Sequence, residues 1–180
     1  MSQRLLTAAL ILCLVAAPLG RSAAAAEVGP LVISVPDGFE GPTSSSQDGG
    51  VTTAWVKPRP GFAGGTLLQV SMIDLGASLD GLPPAQRGEG ARHYLVEFAK
   101  AVGRRRQDFE LRDIEQVTLA GLPAARVRWT GRLEELSTVG VIYCVLIGHV
   151  VVSLQTQDGG STITPAMYGA ISAIEGIRVR

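Results

Sequence analysis

Glu89, His93 and Glu97 stand four residues apart in a segment of helical periodicity, so the three side chains project from one helix face. Carboxylates and an imidazole at that spacing are metal-ligand types, and a metal-dependent enzyme built on His93 is the chemistry they would allow. The same wheel puts them opposite the apolar stripe of the helix, whereas a metal centre needs a closed ligand shell with supporting hydrogen bonds. A solvated polar face is therefore the preferred reading. His149 follows Gly148 at the start of a strand and reads as a turn or core-edge residue. The chain has no Gly-x-Ser-x-Gly elbow, and Gly76-Ala77-Ser78-Leu79-Asp80 departs from that pattern at its last position. Cys144 lies between Tyr143 and Val145 in an apolar strand and is expected to be a buried, inert thiol. Of the Gly-Gly pairs at 49–50, 64–65 and 159–160, the last precedes a helix as a phosphate cradle would, but Thr164-Pro165 intervenes and no lysine is near. No catalytic, cofactor or metal constellation is complete, so the expectation is a protein that is not an enzyme and holds no cofactor.

The remaining chemistry is arginine. Arg104, Arg105 and Arg106 form a run, and Arg126, Arg128 and Arg132 share one face of a strand. Guanidinium groups favour carboxylates, phosphates and protein interfaces. Glu110, Asp113, Glu115, Glu134 and Glu135 are the acids able to balance them into an ordinary solvated face. If both arginine sets meet near one sheet edge, they make the first candidate for a partner surface.

The elements that must position these groups begin after a leader. Arg4 is a positive n-region, Leu5 to Ala17 an apolar run, and Ala23 to Ala26 supply small residues for cleavage. Residues 1–26 are thus expected to be a secretory signal peptide cleaved near Ala26/Glu27, with residues 27–180 a single domain. The implied location is periplasmic or secreted. Cys13 lacks the small residue before it that a lipoprotein site requires. Removing Arg4 and Arg21 leaves 14 basic residues of the 16 against 16 acidic ones, a net charge of −2. A near-neutral chain is not expected to have nucleic acid as its partner. Val139 to Leu154 is the longest later apolar run, but Gly140, Gly148, His149 and Ser153 interrupt it, so no membrane span is expected in the mature chain. One cysteine remains, so the core must hold the fold without an intramolecular disulfide.

Residues 27–30 read as a linker, Leu31 to Val35 as a strand ending at Pro36-Asp37-Gly38, and Thr43 to Gly50 as a polar loop or hairpin tip. Val51 to Val56 and Thr66 to Asp74 are strand-like. Ala85 to Val102 predicts a helix with its stripe on Ala91, Tyr94, Leu95, Phe98, Ala101 and Val102, stopped by Gly103. Ile114 to Leu119, Ala124 to Arg132, Ser137 to Ile147 and His149 to Thr156 predict four strands, the last two central because they are apolar on both faces in part. Thr164 is the expected N-cap of a final helix with Pro165 at its first position, Ile163 and Tyr168 pairing as a staple, and Ile177 to Arg180 as a tail. Short connections between successive strands predict an α+β fold: an antiparallel sheet of about six to seven strands with helices packed on it.

This order, with certain phrases, resembles the PsbP-like superfamily and its small exported DcrB-like members. The phrases are Ile33-Ser34-Val35-Pro36-Asp37-Gly38-Phe39, then Thr118-Leu119-Ala120-Gly121-Leu122-Pro123-Ala124 ahead of Arg126-Val127-Arg128-Trp129, and the closing helix leading into Ile174-Glu175-Gly176-Ile177. The resemblance covers most of residues 31–180 and implies the α/β/α sandwich and an accessory, assembly or binding role, with no site residue carried over. The expectation is a non-catalytic exported protein that binds another envelope protein through the arginine surface. A small-ligand or lipid carrier using a cleft between sheet and helices is the second reading, and the His93 enzyme the third.

Overall fold

Alternating apolar and polar residues build about half of the described residues into strands, and among them two helices cover what the strands leave apolar. A computed structural model describes residues 24–47, 49–60, 64–79 and 81–180. The expected signal peptide therefore falls largely outside the described residues. Its last three alanines do not: they belong to β1 (Ala24–Val28), which pairs antiparallel with β2 (Leu31–Val35). This corrects the linker expected at 27–30, and places the Ala26–Glu27 bond inside a strand.

The main sheet follows. β3 (Glu40–Gln47), β4 (Gly50–Pro58) and β5 (Gly65–Asp74) are successive antiparallel strands, so the loop expected at 43–50 is mostly strand. Its serines have little strand propensity of their own; pairing with β4 imposes the conformation, helped by the Ser44–Thr53 hydroxyl contact at 3.1 Å. After a short 3-10 turn, α1 (Pro84–Gly103) crosses the sheet. β6 (Gln107–Leu111) and β7 (Glu115–Leu119) pair in turn along β8 (Leu122–Leu133), which leads into β9 (Leu136–Ile147) and β10 (Val150–Gly159). α2 (Pro165–Glu175) and β11 (Arg178–Val179) close the chain, β11 pairing with β2 where a tail was expected.

Among the described residues the sheet order is β3-β4-β5-β10-β9-β8-β6 with β7 also on β8, eight strands, beside a three-stranded sheet β1-β2-β11. The count exceeds six to seven because polar β3 and β6 carry no apolar pattern; the α+β class and the central place of β9 and β10 hold. On one face Trp55, Leu68, Val70, Val141, Tyr143 and Leu154 pack with α2 and the small sheet. On the other, Val127, Trp129, Ile142, Cys144 and Leu146 pack under Ala91, Leu95 and Ala99 of α1. Among the described residues no helix is long and apolar enough to cross a membrane.

The helix starts follow local chemistry. Thr164 Oγ1 accepts from the Met167 amide at 3.3 Å, as the N-cap reading expected. Tyr168 is exposed and forms no staple with Ile163, which instead joins the core. Arg87 ties the first turn of α1 down, donating to the carbonyls of Leu79 (3.0 Å), Leu82 (3.2 Å) and Gly148 (2.9 Å).

One consequence of width decides the functional surface. A helix is ~10–12 Å across with side chains, while strands are spaced ~4.8 Å, so one helix shields two or three strands. α1 lies over β8 and β9 and touches only the margin of β10. The same face of β5, β4 and β3 is left uncovered, and Gln69, Ser71 and Thr52 give it polar positions beside exposed Ile73 and Val56.

Candidate functional site

The uncovered face is built by strict alternation. In β5, Leu68, Val70 and Met72 turn to the α2 side, which leaves Gln69 and Ser71 on the open side. In β10, Val152, Leu154 and Thr156 do the same, leaving Ser153, Gln155 and Gln157. Register sets Gln155 beside Gln69 and Ser153 beside Ser71, with Thr52 of β4 next in the row. Thr52 Oγ1 and Ser71 Oγ are 3.0 Å apart, and Gln69 Nε2 donates to Ser71 Oγ at 3.0 Å. Gln155 Nε2 donates to Gln157 Oε1 at 3.0 Å.

Where this row meets the C-terminal turn of α1, the surface dips into a groove of about 510 Å³. Phe98, Val102, Leu67 and Leu133 form its apolar walls, and Arg105 and Arg106 stand at its end. Arg106 is fixed in place. Its guanidinium lies 4.4 Å from the Trp129 ring centre, and it donates to the Val102 carbonyl and to Gln157 Oε1, each at 2.6 Å. Its Nε is buried without a hydrogen-bond partner among the described residues. Burial, with a smaller contribution from neighbouring Arg105, lowers its pKa. Arg105 is exposed, and its side chain has no hydrogen-bond or ion-pair partner among the described residues.

The expected arginine surface is divided. Arg104, Arg105 and Arg106 sit at the end of α1 on the groove side of the sheet. Arg126, Arg128 and Arg132 alternate with Val127 and Trp129 and so project to the α2 side. Arg126 is bound by Glu115 at 2.5 Å and Glu175 at 3.2 Å, and the bond to Glu115 leads in raising its pKa. Glu175 also accepts from the Tyr143 hydroxyl at 2.7 Å; burial first, then that bond, pushes the Tyr143 pKa up to about 12. Arg132 pairs with Asp108 at 3.1 Å and donates to Gln107. Arg128 alone of the strand trio is exposed without such a bond among the described residues. The two sets therefore do not form one patch, because strand parity sends them to opposite faces.

The other candidates fall into ordinary roles. Glu89, His93 and Glu97 are exposed; Glu97 pairs with Lys100 at 2.7 Å, and His93 meets the edge of Tyr94. No group of three metal-ligand side chains gathers among the described residues. His149 is exposed, 3.5 Å from Asp74. Ahead of α2, the buried carboxylate of Asp158 accepts from the Thr164 amide at 2.8 Å, and the Met167 amide is taken by Thr164 Oγ1, so donors at this helix start already have partners within the chain. Cys144 is fully buried, and desolvation pushes its thiol up to about 12. In a chain starting at Ala24, where Cys144 is the sole thiol, a disulfide-exchange reagent at pH 8 should leave it unmodified until urea unfolds the protein. Modification of native protein at the unfolded rate would place the thiol at the surface.

A second depression, about 390 Å³, lies between Ala24–Ala26, Phe39 and Trp55. Cleavage after Ala26 would remove one of its walls. The groove beside α1 has no such dependence. In the sequence its signal is the alternation Gln69-x-Ser71 and Ser153-x-Gln155-x-Gln157, which the apolar content of 139–157 masks.

No family model matches the chain, and no curated protein is similar to it in sequence. Solved structures share its fold. Cyanobacterial PsbP (CyanoP) from Synechocystis sp. PCC 6803 matches with a TM-score of 0.52 and 11% identity, over 93% of this chain and 99% of that one. A Pseudomonas aeruginosa protein of unknown function, PA94, matches with a TM-score of 0.51 and 14% identity, over 87% and 96%. A Bacteroides thetaiotaomicron protein matches with a TM-score of 0.50 and 10% identity, over 84% of this chain but 45% of its own length. The fold class is thus α+β and PsbP-like.

Proposed function

We propose that this chain is a non-catalytic accessory or binding protein of the bacterial envelope, of the small DcrB-like kind, exported by its leader and periplasmic or secreted. It works by contact with another protein. The supporting observation is the outer edge of β3. From Gly41 to Gln47 this strand carries no charge, its residues through Ser46 are exposed, and no strand flanks its outer side among the described residues. Edge strands are normally guarded by lysine, charge or a covering element, because unpaired N–H and C=O groups attract another strand. Here only the irregularity between Glu40 and Thr43, which includes Pro42 with no N–H to offer, interrupts it. An extended partner segment adding beside Thr43–Gln47 would gain main-chain hydrogen bonds at no cost to the fold.

In-cell crosslinking followed by mass spectrometry identifies the partner, and Ser45→Lys with Ser46→Lys tests the contact. Both residues are exposed, so stability should stay within about 0.5 kcal/mol of the parent, while the crosslinked partner is lost. Full retention of that partner by the doubly substituted protein overturns the edge contact. Arg128→Glu is the companion variant for the α2 side.

A further inference from the structure

We propose that the groove between the last turn of α1 and the open half of the sheet binds a small polyhydroxylated carboxylate, a molecule of the sugar-acid type. Three features define that chemistry. The lining contains two guanidinium groups and no Asp or Glu, so its charge selects an anion. Arg106 is immobilised on Trp129 and directed by Gln157, which pre-organises that end of the site. Arg105 is the exposed guanidinium beside it, able to meet a carboxylate with two parallel N–H donors. Its planar fork fits one carboxylate, while Arg106, bonded to neutral acceptors, adds a second positive charge to the site.

The floor decides against a lipid. Thr52, Gln69, Ser71, Gln155 and Gln157 present hydroxyls and amides, which both donate and accept. An acyl chain laid over them would strip their water without replacing its hydrogen bonds. Hydroxyl groups on a ligand replace those bonds, while Phe98 and Leu133 give its carbon skeleton an apolar wall. The volume of about 510 Å³ admits such a molecule. The β3 edge borders this site, Ser45 standing opposite Thr52 of the floor, so the groove is tested in a chain with β3 unaltered.

The test is calorimetric titration of a chain starting at Ala24 with three probes: gluconate, sorbitol and hexanoate. Gluconate has the charge and the hydroxyls, sorbitol the hydroxyls alone, hexanoate the charge alone. Gluconate should bind with millimolar or tighter affinity and the other two at least about tenfold more weakly, the scale of one charge-assisted hydrogen bond. Arg105→Gln should weaken gluconate by a similar factor at unchanged Tm, whereas Arg178→Gln, exposed on β11, should leave it unaltered. Absence of gluconate binding, equal binding of either partial analogue, or equal loss in both arginine variants overturns the proposal.

Discussion

Replacing Trp129 by alanine should destabilise the protein by about 4 kcal/mol, within the range for removing a large buried aromatic. Trp129 is fully buried and stands opposite Gly140 in the β8–β9 register. Its ring fills the space a side chain at 140 would need: a Cβ there would lie 2.3 Å from the indole. On its other flanks are Phe109, 5.6 Å away, and the Arg106 guanidinium. The ring cannot move aside, so Gly140→Ala should itself cost about 3 kcal/mol by overpacking. The two changes are coupled. The double variant should be less destabilised than the sum of the singles, because alanine at 129 makes room for the new methyl. Urea unfolding of the four proteins checks this. Additive losses would show that the indole and Gly140 do not share the space assigned to them. The Trp129 variant should also lose gluconate binding, since Arg106 would have no ring to lie on.

Asp158→Ala should cost about 3 kcal/mol, because it leaves buried donors without their acceptor. The carboxylate is fully buried at the end of β10. Its Oδ1 accepts from Thr66 Oγ1 at 2.5 Å, and its Oδ2 from the Thr164 amide at 2.8 Å. It thereby joins β5, β10 and the start of α2. Asp158→Asn keeps one acceptor, but its amide must face a donor unless the Thr66 hydroxyl turns, so its loss should be smaller. Hydrogen exchange should locate the damage: amides from Thr164 to Tyr168 should exchange faster in Asp158→Ala, while those of α1 change little. Equal losses in both variants, or unaltered exchange at α2, would reassign the carboxylate.

Both effects rest on pairs that the sequence shows only in part. Gly140 reads as an interruption of an apolar strand, and its function as the seat of Trp129 needs the register of β8 on β9. Asp158 reads as a turn residue before Gly159-Gly160, and only the return of the chain through Thr164 and the pairing with β5 make it a buried anchor. The arginines show the same division. Parity along β8 was enough to group Arg126, Arg128 and Arg132. Of the counter-charges of Arg126 and Arg132, Glu115 is among the acids near them in sequence, whereas Glu175 of α2, 49 residues away, and Asp108 of β6 are brought in by the fold.

What the sequence determined by itself was the local grammar. Thr164-Pro165 starts a helix because the cap hydroxyl and the fixed proline φ act within one turn. Ala120-Gly121-Leu122-Pro123 turns the chain because Gly121, at φ 79°, occupies a conformation glycine adopts without steric cost. Apolar residues at period two or near four choose strand or helix before any partner is present. The tertiary structure alone decided which faces would be covered. β3 and β6 are strands because neighbours pair with them, not because serine, glutamine or aspartate favours extension. The groove exists because a single helix, two to three strands wide, was laid over an eight-stranded sheet. On the strands beyond the helix the alternation continues with Thr52, Gln69 and Ser71, which stay partly in water.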